Sequence, residues 1–173
     1  SLLCLWYAAL DVLLPRLTAQ EAAALAMVAA SILVFRTFRE RYLLVWVLGW
    51  LAYFVSEWSM RGTALSWSPE QALAISQASF VLAVCLFAGA ICVYTHANKA
   101  LLPLSVIAVV LVGYAVAREL LWPDVVMARV PLEVAYRLIA IGAAVQLMRS
   151  RWGRWEIGPW LLSTCLLFLH LEW

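Results

Sequence analysis

The residues best suited to chemistry lie in one otherwise aliphatic stretch, where Glu133, Tyr136 and Arg137 stand together. Four positions separate the acid from the base. On an α-helix both therefore share one face, with the acid nearer the N-terminus, the favourable order. An ionisable group in hydrocarbon costs roughly 3 kcal/mol on insertion scales, so each is a site until shown otherwise. Two roles fit the pair: a lock that fixes its helix against neighbours, or a binding or switching centre. Asp11, Gln77 and His170 are expected to share a cavity with it. Ser56, Glu57, Ser76, Arg118, Glu119 and Glu172 fall in the same halves of their segments. Glu57, Arg118 and Glu172, however, are close enough to helix ends to reach the headgroups and stay wet.

No enzyme signature accompanies these groups. The chain has no H-E-x-x-H, G-x-S-x-G, P-loop or G-x-G-x-x-G. No catalytic residue is assigned, and no catalytic activity is expected of this chain. Cys4, Cys85, Cys92 and Cys165 sit in apolar runs without a C-x-x-C, so they read as small buried hydrophobes and no metal site is expected. His96 and His170 fall near opposite membrane surfaces and cannot share a haem. A single histidine holding a pigment stays open, but nothing in the sequence requires a cofactor.

Such groups must be positioned by elements whose solvent is lipid. The chain has 173 residues, 66% of them apolar and 13% charged, with a mean hydropathy of +0.94. Soluble domains are typically about 45–50% apolar and about 25% charged. An ordinary soluble globule and a disordered chain are both excluded. A net charge of +2 leaves no basic footprint for nucleic acid.

A helix needs about 20 residues to cross the hydrocarbon layer. Polar clusters, prolines and glycines divide the chain into seven candidate spans, at about 1–14, 18–37, 41–60, 69–96, 99–121, 124–148 and 155–173. The first reaches only about 21 Å and is expected to be truncated at its start. The start lacks the basic region and small-residue cleavage site of a signal peptide. Thr18 with Glu21 predicts a capping box, and Ser68-Pro69-Glu70 predicts an N-cap followed by proline at the first helical position. Arg137 then falls near the middle of the sixth span. Short connections make sequential helices antiparallel neighbours. The expected fold class is all-α: a polytopic membrane bundle of about seven helices forming a single domain over 1–173. Gly89, Gly113 and Gly142 occur singly, which predicts close helix contacts at each.

Arginine sets the orientation. Arg36, Arg39 and Arg41, then Lys99, then Arg149, Arg151 and Arg154 occupy alternate connections. The positive-inside rule places 36–41 and 149–154 in the cytoplasm. Trp46, Gly49 and Trp50 lie on one helical face and predict a packing interface, with stacking on an apolar ligand as the alternative.

The segment Arg39-Glu40-Arg41-Tyr42-Leu43-Leu44-Val45-Trp46-Val47-Leu48-Gly49-Trp50 resembles an "RxRYLxxWxLGW" stretch in the N-terminal multi-helix membrane modules of bacterial sensor histidine kinases and diguanylate cyclases. The ending is similar too: a basic loop at 149–154, then an apolar helix carrying Trp160 and His170. The resemblance implies a bacterial inner-membrane module of six to eight helices that passes a ligand or membrane signal to a domain absent from this chain. It transfers no ligand-binding residues. The alternative is an accessory or scaffold subunit of a larger membrane complex, in contact with pigments or lipids. On either reading the expected partners are membrane lipids and other membrane helices, in a homo-oligomer or a larger complex. A transporter fragment is less expected, because the inner halves of the spans are too apolar for a continuous polar path.

Overall fold

The computed structural model describes residues 19–60, 67–122 and 126–150. Five α-helices occur among them: α1 (Ala19–Phe38), α2 (Arg41–Ser59), α3 (Pro69–Tyr94), α4 (Leu101–Leu121) and α5 (Val130–Ser150). Short 3-10 segments, Asn98–Ala100 and Val126–Arg129, lead into α4 and α5. No strand occurs among the described residues. Helices α2 to α5 are each long and apolar enough to cross a membrane, which fits a multi-pass membrane protein. The expected spans at 1–14 and 155–173, with Asp11 and His170, lie outside the described residues.

Local sequence explains the helix ends. At the start of α3 the Ser68 hydroxyl accepts from the Gln71 N–H at 3.2 Å, and the Gln71 side chain accepts from the Ser68 N–H at 3.0 Å. Pro69 follows at the first helical position, where its missing N–H leaves nothing unpaired. The sequence predicts the N-cap and the proline there; the reciprocal bond of Gln71, which makes it a capping box, is added by the structure. The end of α1 closes through Arg39, at φ 53°, whose N–H reaches the Phe35 carbonyl at 2.7 Å. The end of α3 closes through His96, at φ 57°, with the Ala97 N–H bonded to the Cys92 carbonyl at 2.8 Å. A left-handed residue followed by a bond of that length along the chain is a Schellman closure, a position glycine usually fills.

Helix α3 forms the centre. It packs against α2, α4 and α5, whereas α1 lies on α2 and α4 barely meets α5. Its most apolar stretch is 56% buried; that of α4 is only 6% buried. Leu102, Val106, Val109 and Val110 accordingly cover an outward apolar face of α4, suited to hydrocarbon rather than water. Short connections run α1 to α5 antiparallel in turn. One end of the bundle carries Arg36, Arg39, Arg41, Lys99 and Arg149; the other carries most of the acidic and hydroxyl side chains described below.

The interior has two apolar clusters. Toward the acidic end, Val81, Val84 and Cys85 of α3 meet Ala115 of α4 and Leu132, Tyr136 and Ala140 of α5. Toward the basic end, Phe87 and Ile91 meet Trp46, Trp50, Ala143 and Leu147. Trp46 and Trp50 flank the Phe87 ring, with centroids 4.7 and 5.2 Å away, and Gly49 makes room for it.

Two sequence expectations change here. The helix within the expected 124–148 span begins only at Val130, after a 3-10 turn. Arg137 is therefore about 10 Å along an α5 of about 30 Å, three residues before its midpoint. The glycines also divide. A β-carbon on Gly89 would touch Val45 and Leu104 at ordinary distances, but one on Gly113 or Gly142 would meet nothing within 4 Å. Those two glycines border open space and make no close helix contact among the described residues.

Candidate functional site

Polar side chains collect in the acidic end of the bundle. The antiparallel order brings the start of α1, the end of α2, the start of α3, the end of α4 and the start of α5 to one level. Glu21, Ser56, Ser59, Ser76, Arg118 and Glu119 are all buried there. The Ser56 and Ser76 hydroxyls lie 3.3 Å apart across α2 and α3. The Ser59 hydroxyl donates to the Ser56 carbonyl at 2.9 Å. Glu57 is bonded by the Tyr53 side chain one turn back and lies within electrostatic reach of Glu21 on α1.

Arg118 and Glu119 are the buried ion pair at that level. Both side chains are almost wholly buried, 1% and 0% exposed, and they form an ion pair with each other. Beyond that pair, the guanidinium nitrogens and carboxylate oxygens find no hydrogen-bond partner among the described residues. The helix explains the burial. Ala115, Arg118 and Glu119 stand at positions i, i+3 and i+4, so they share the face that Ala115 turns onto α3 and α5. The next connection is tied down nearby: the Tyr114 hydroxyl donates to the Ala128 carbonyl at 2.9 Å, and Arg129 lies within electrostatic reach of Arg118.

Chemically this arrangement is a buried charge pair whose further donors and acceptors meet no partner among the described residues. A guanidinium carries five N–H donors and a carboxylate about four acceptor sites. One contact between them leaves both able to bind more. In a low-dielectric interior such groups attract any small polar or charged partner strongly, and leaving either one without a partner is costly. Among the described residues no three His, Cys, Asp or Glu side chains cluster to hold a metal ion.

The residues expected from sequence are distributed differently. Glu133 and Arg137 do pair, at 3.6 Å, but both are about half exposed, 48% and 46%, on the outward side of α5. Tyr136 turns the other way. It is buried, stands edge-on to Phe80 with centroids 5.2 Å apart, and is hydrogen-bonded by Arg137. Gln77 is half-buried beside Ser76 on α3. Trp46, Gly49 and Trp50 surround Phe87 in the α2–α3 contact, away from the polar layer. Asp11 and His170 lie outside the described residues.

Arg118 is the residue sequence reasoning passed over, along with Glu119. Their place near the end of a span made a wet position plausible, yet Arg118 is buried. The missed signal is lateral rather than axial. Small Ala115 one turn earlier marks the face that approaches a neighbour, and both charges follow it at helical spacing.

No family model, no curated protein and no solved structure matches this chain.

Proposed function

We propose that this chain is a membrane-embedded input module of a signalling protein, and that the buried layer around Arg118 and Glu119 is where the signal acts. The burial of an incompletely bonded ion pair inside an otherwise apolar bundle carries this reading. A ligand or a change in the membrane that gives these groups a new partner favours one helix arrangement over another. Helix α4 is suited to respond, since among the described residues it packs mainly on α3, its apolar face is little covered and its contact with α5 is slight. The segment 39–50, by its resemblance to sensor modules, points the same way. The arginine-rich connections 36–41 and 149–154 would then be cytoplasmic and the polar layer would face the outer side of a bacterial inner membrane.

A second reading rests on a separate observation. Glu133 and Arg137 put two charges on the outward face of a helix long enough to cross the membrane. Charge on such a face favours protein over lipid as its neighbour. An accessory subunit held in a larger assembly would use it so.

The reading frame that encodes the chain separates the two. An input module continues past Trp173, through one further crossing, into a cytoplasmic signalling domain. A scaffold subunit ends near Trp173 and purifies in fixed ratio with its complex. A frame that stops there, in a protein that purifies alone, contradicts both.

A further inference from the structure

Helices α4 and α5 both rest on α3 yet hardly touch each other. Between them lies a cleft of about 330 Å³. Ala88 and Cys92 of α3 form its floor, with Leu104 and Ile107 on one wall and Ile139 on the other. Gly142 leaves the α5 wall open, because no atom lies within 4 Å of where its β-carbon would be. The walls belong to helices long enough to span a membrane, so the cleft sits at hydrocarbon depth. Its largely apolar lining offers water few partners. The volume is at the low end of the roughly 300–1,000 Å³ of small-molecule sites, which suits one hydrocarbon chain.

The cleft has a polar end, and that end is positively charged. Gln146 lines it there, its amide N–H₂ donating to the Thr95 hydroxyl at 3.4 Å. Lys99 stands exposed between Ala97 and Ala100, both lining residues, and Arg149 stands exposed one turn beyond Gln146. Among the described residues that line the cleft, none is acidic.

We propose that this cleft binds an anionic phospholipid, one acyl chain lying between α4 and α5 and the headgroup resting on Lys99 and Arg149. Hydrocarbon walls account for the chain, and the two cations for the charge preference. The site is at the opposite end of the bundle from the Arg118–Glu119 layer and does not depend on it.

The test uses the whole protein in detergent, with native mass spectrometry reading retained phosphatidylglycerol against phosphatidylcholine of identical chains. Wild type retains phosphatidylglycerol in preference. The Lys99→Gln and Arg149→Gln variants each lower that preference about fivefold, the usual effect of one basic group near an anionic surface. Gly142→Phe fills the cleft without meeting protein and loses both lipids, while its helical circular dichroism stays that of wild type. Ala100→Trp, on the opposite wall, gives the same loss if Gly142→Phe folds poorly. Equal retention of the two lipids by wild type overturns the proposal, as does wild-type retention by a folded variant with the cleft filled.

Discussion

Gly49 of α2 lies so close to Phe87 of α3 that a β-carbon at position 49 would come within 2.6 Å of the ring. Phe87 is buried and held between Trp46 and Trp50, so it has no free direction to yield in. The contact fixes how near the two helices approach, and with it the spacing of the Ser56 and Ser76 hydroxyls further along the same interface.

Replacing Gly49 with alanine should therefore destabilise the bundle, despite alanine's better helix propensity. Overpacking of a tight core costs about 1–3 kcal/mol, against a propensity gain of about 1 kcal/mol. A net loss is expected in thermal unfolding followed by circular dichroism in detergent. Adding Phe87→Leu, which trims the ring, should recover much of it. An alanine variant as stable as wild type would show that the helices are not held at this distance.

The Arg118–Glu119 pair makes a prediction of opposite shape. Removing one partner leaves the other charge buried and alone, which costs about 3–5 kcal/mol. Arg118→Leu and Glu119→Leu should each lower the unfolding temperature sharply. The double variant should sit much nearer wild type, since apolar replacement of a whole buried pair is often neutral or stabilising. Coupling of that size in a double-mutant cycle confirms direct interaction; simple additivity would mean the two charges do not depend on each other.

Arg39 and His96 both adopt positive φ at helix ends, at 53° and 57°, and both are exposed. A left-handed conformation costs a residue with a β-carbon about 1–2 kcal/mol. Arg39→Gly and His96→Gly should thus each stabilise the protein by roughly 0.5–1 kcal/mol, with no side-chain packing to lose. Thermal melts of the two variants and their combination check this. A lowered melting temperature in either would show that its side chain contributes something the backbone does not reveal.

The contrast between these residues explains what was legible beforehand. Composition and span length give the solvent and the helical class, because a bilayer imposes both. Ser68, Pro69 and Glu70 mark the start of α3 as a local signal, so sequence alone locates it to the residue. The place of Arg137 along its helix was not local. It depended on Val126–Arg129 winding as a 3-10 turn, which moved the start of α5. Nor was the burial of Arg118 local, since position along a helix says nothing about which side a neighbour covers. Gly113 and Gly142 show the same limit: a small residue permits close approach, but only the bundle decides whether a partner is there.

On the proposed signalling role, Arg118 and Glu119 hold the acidic end of the bundle between alternative arrangements. Spin labels at Met60, ending α2, and Leu121, ending α4, are both exposed and flank the central helix. Double electron–electron resonance between them in lipid nanodiscs should resolve two distance populations in wild type. In the Arg118→Leu/Glu119→Leu double variant a single population should remain. One unchanging distance in both proteins would mean that the pair only braces the fold, and the signalling reading would fall with it.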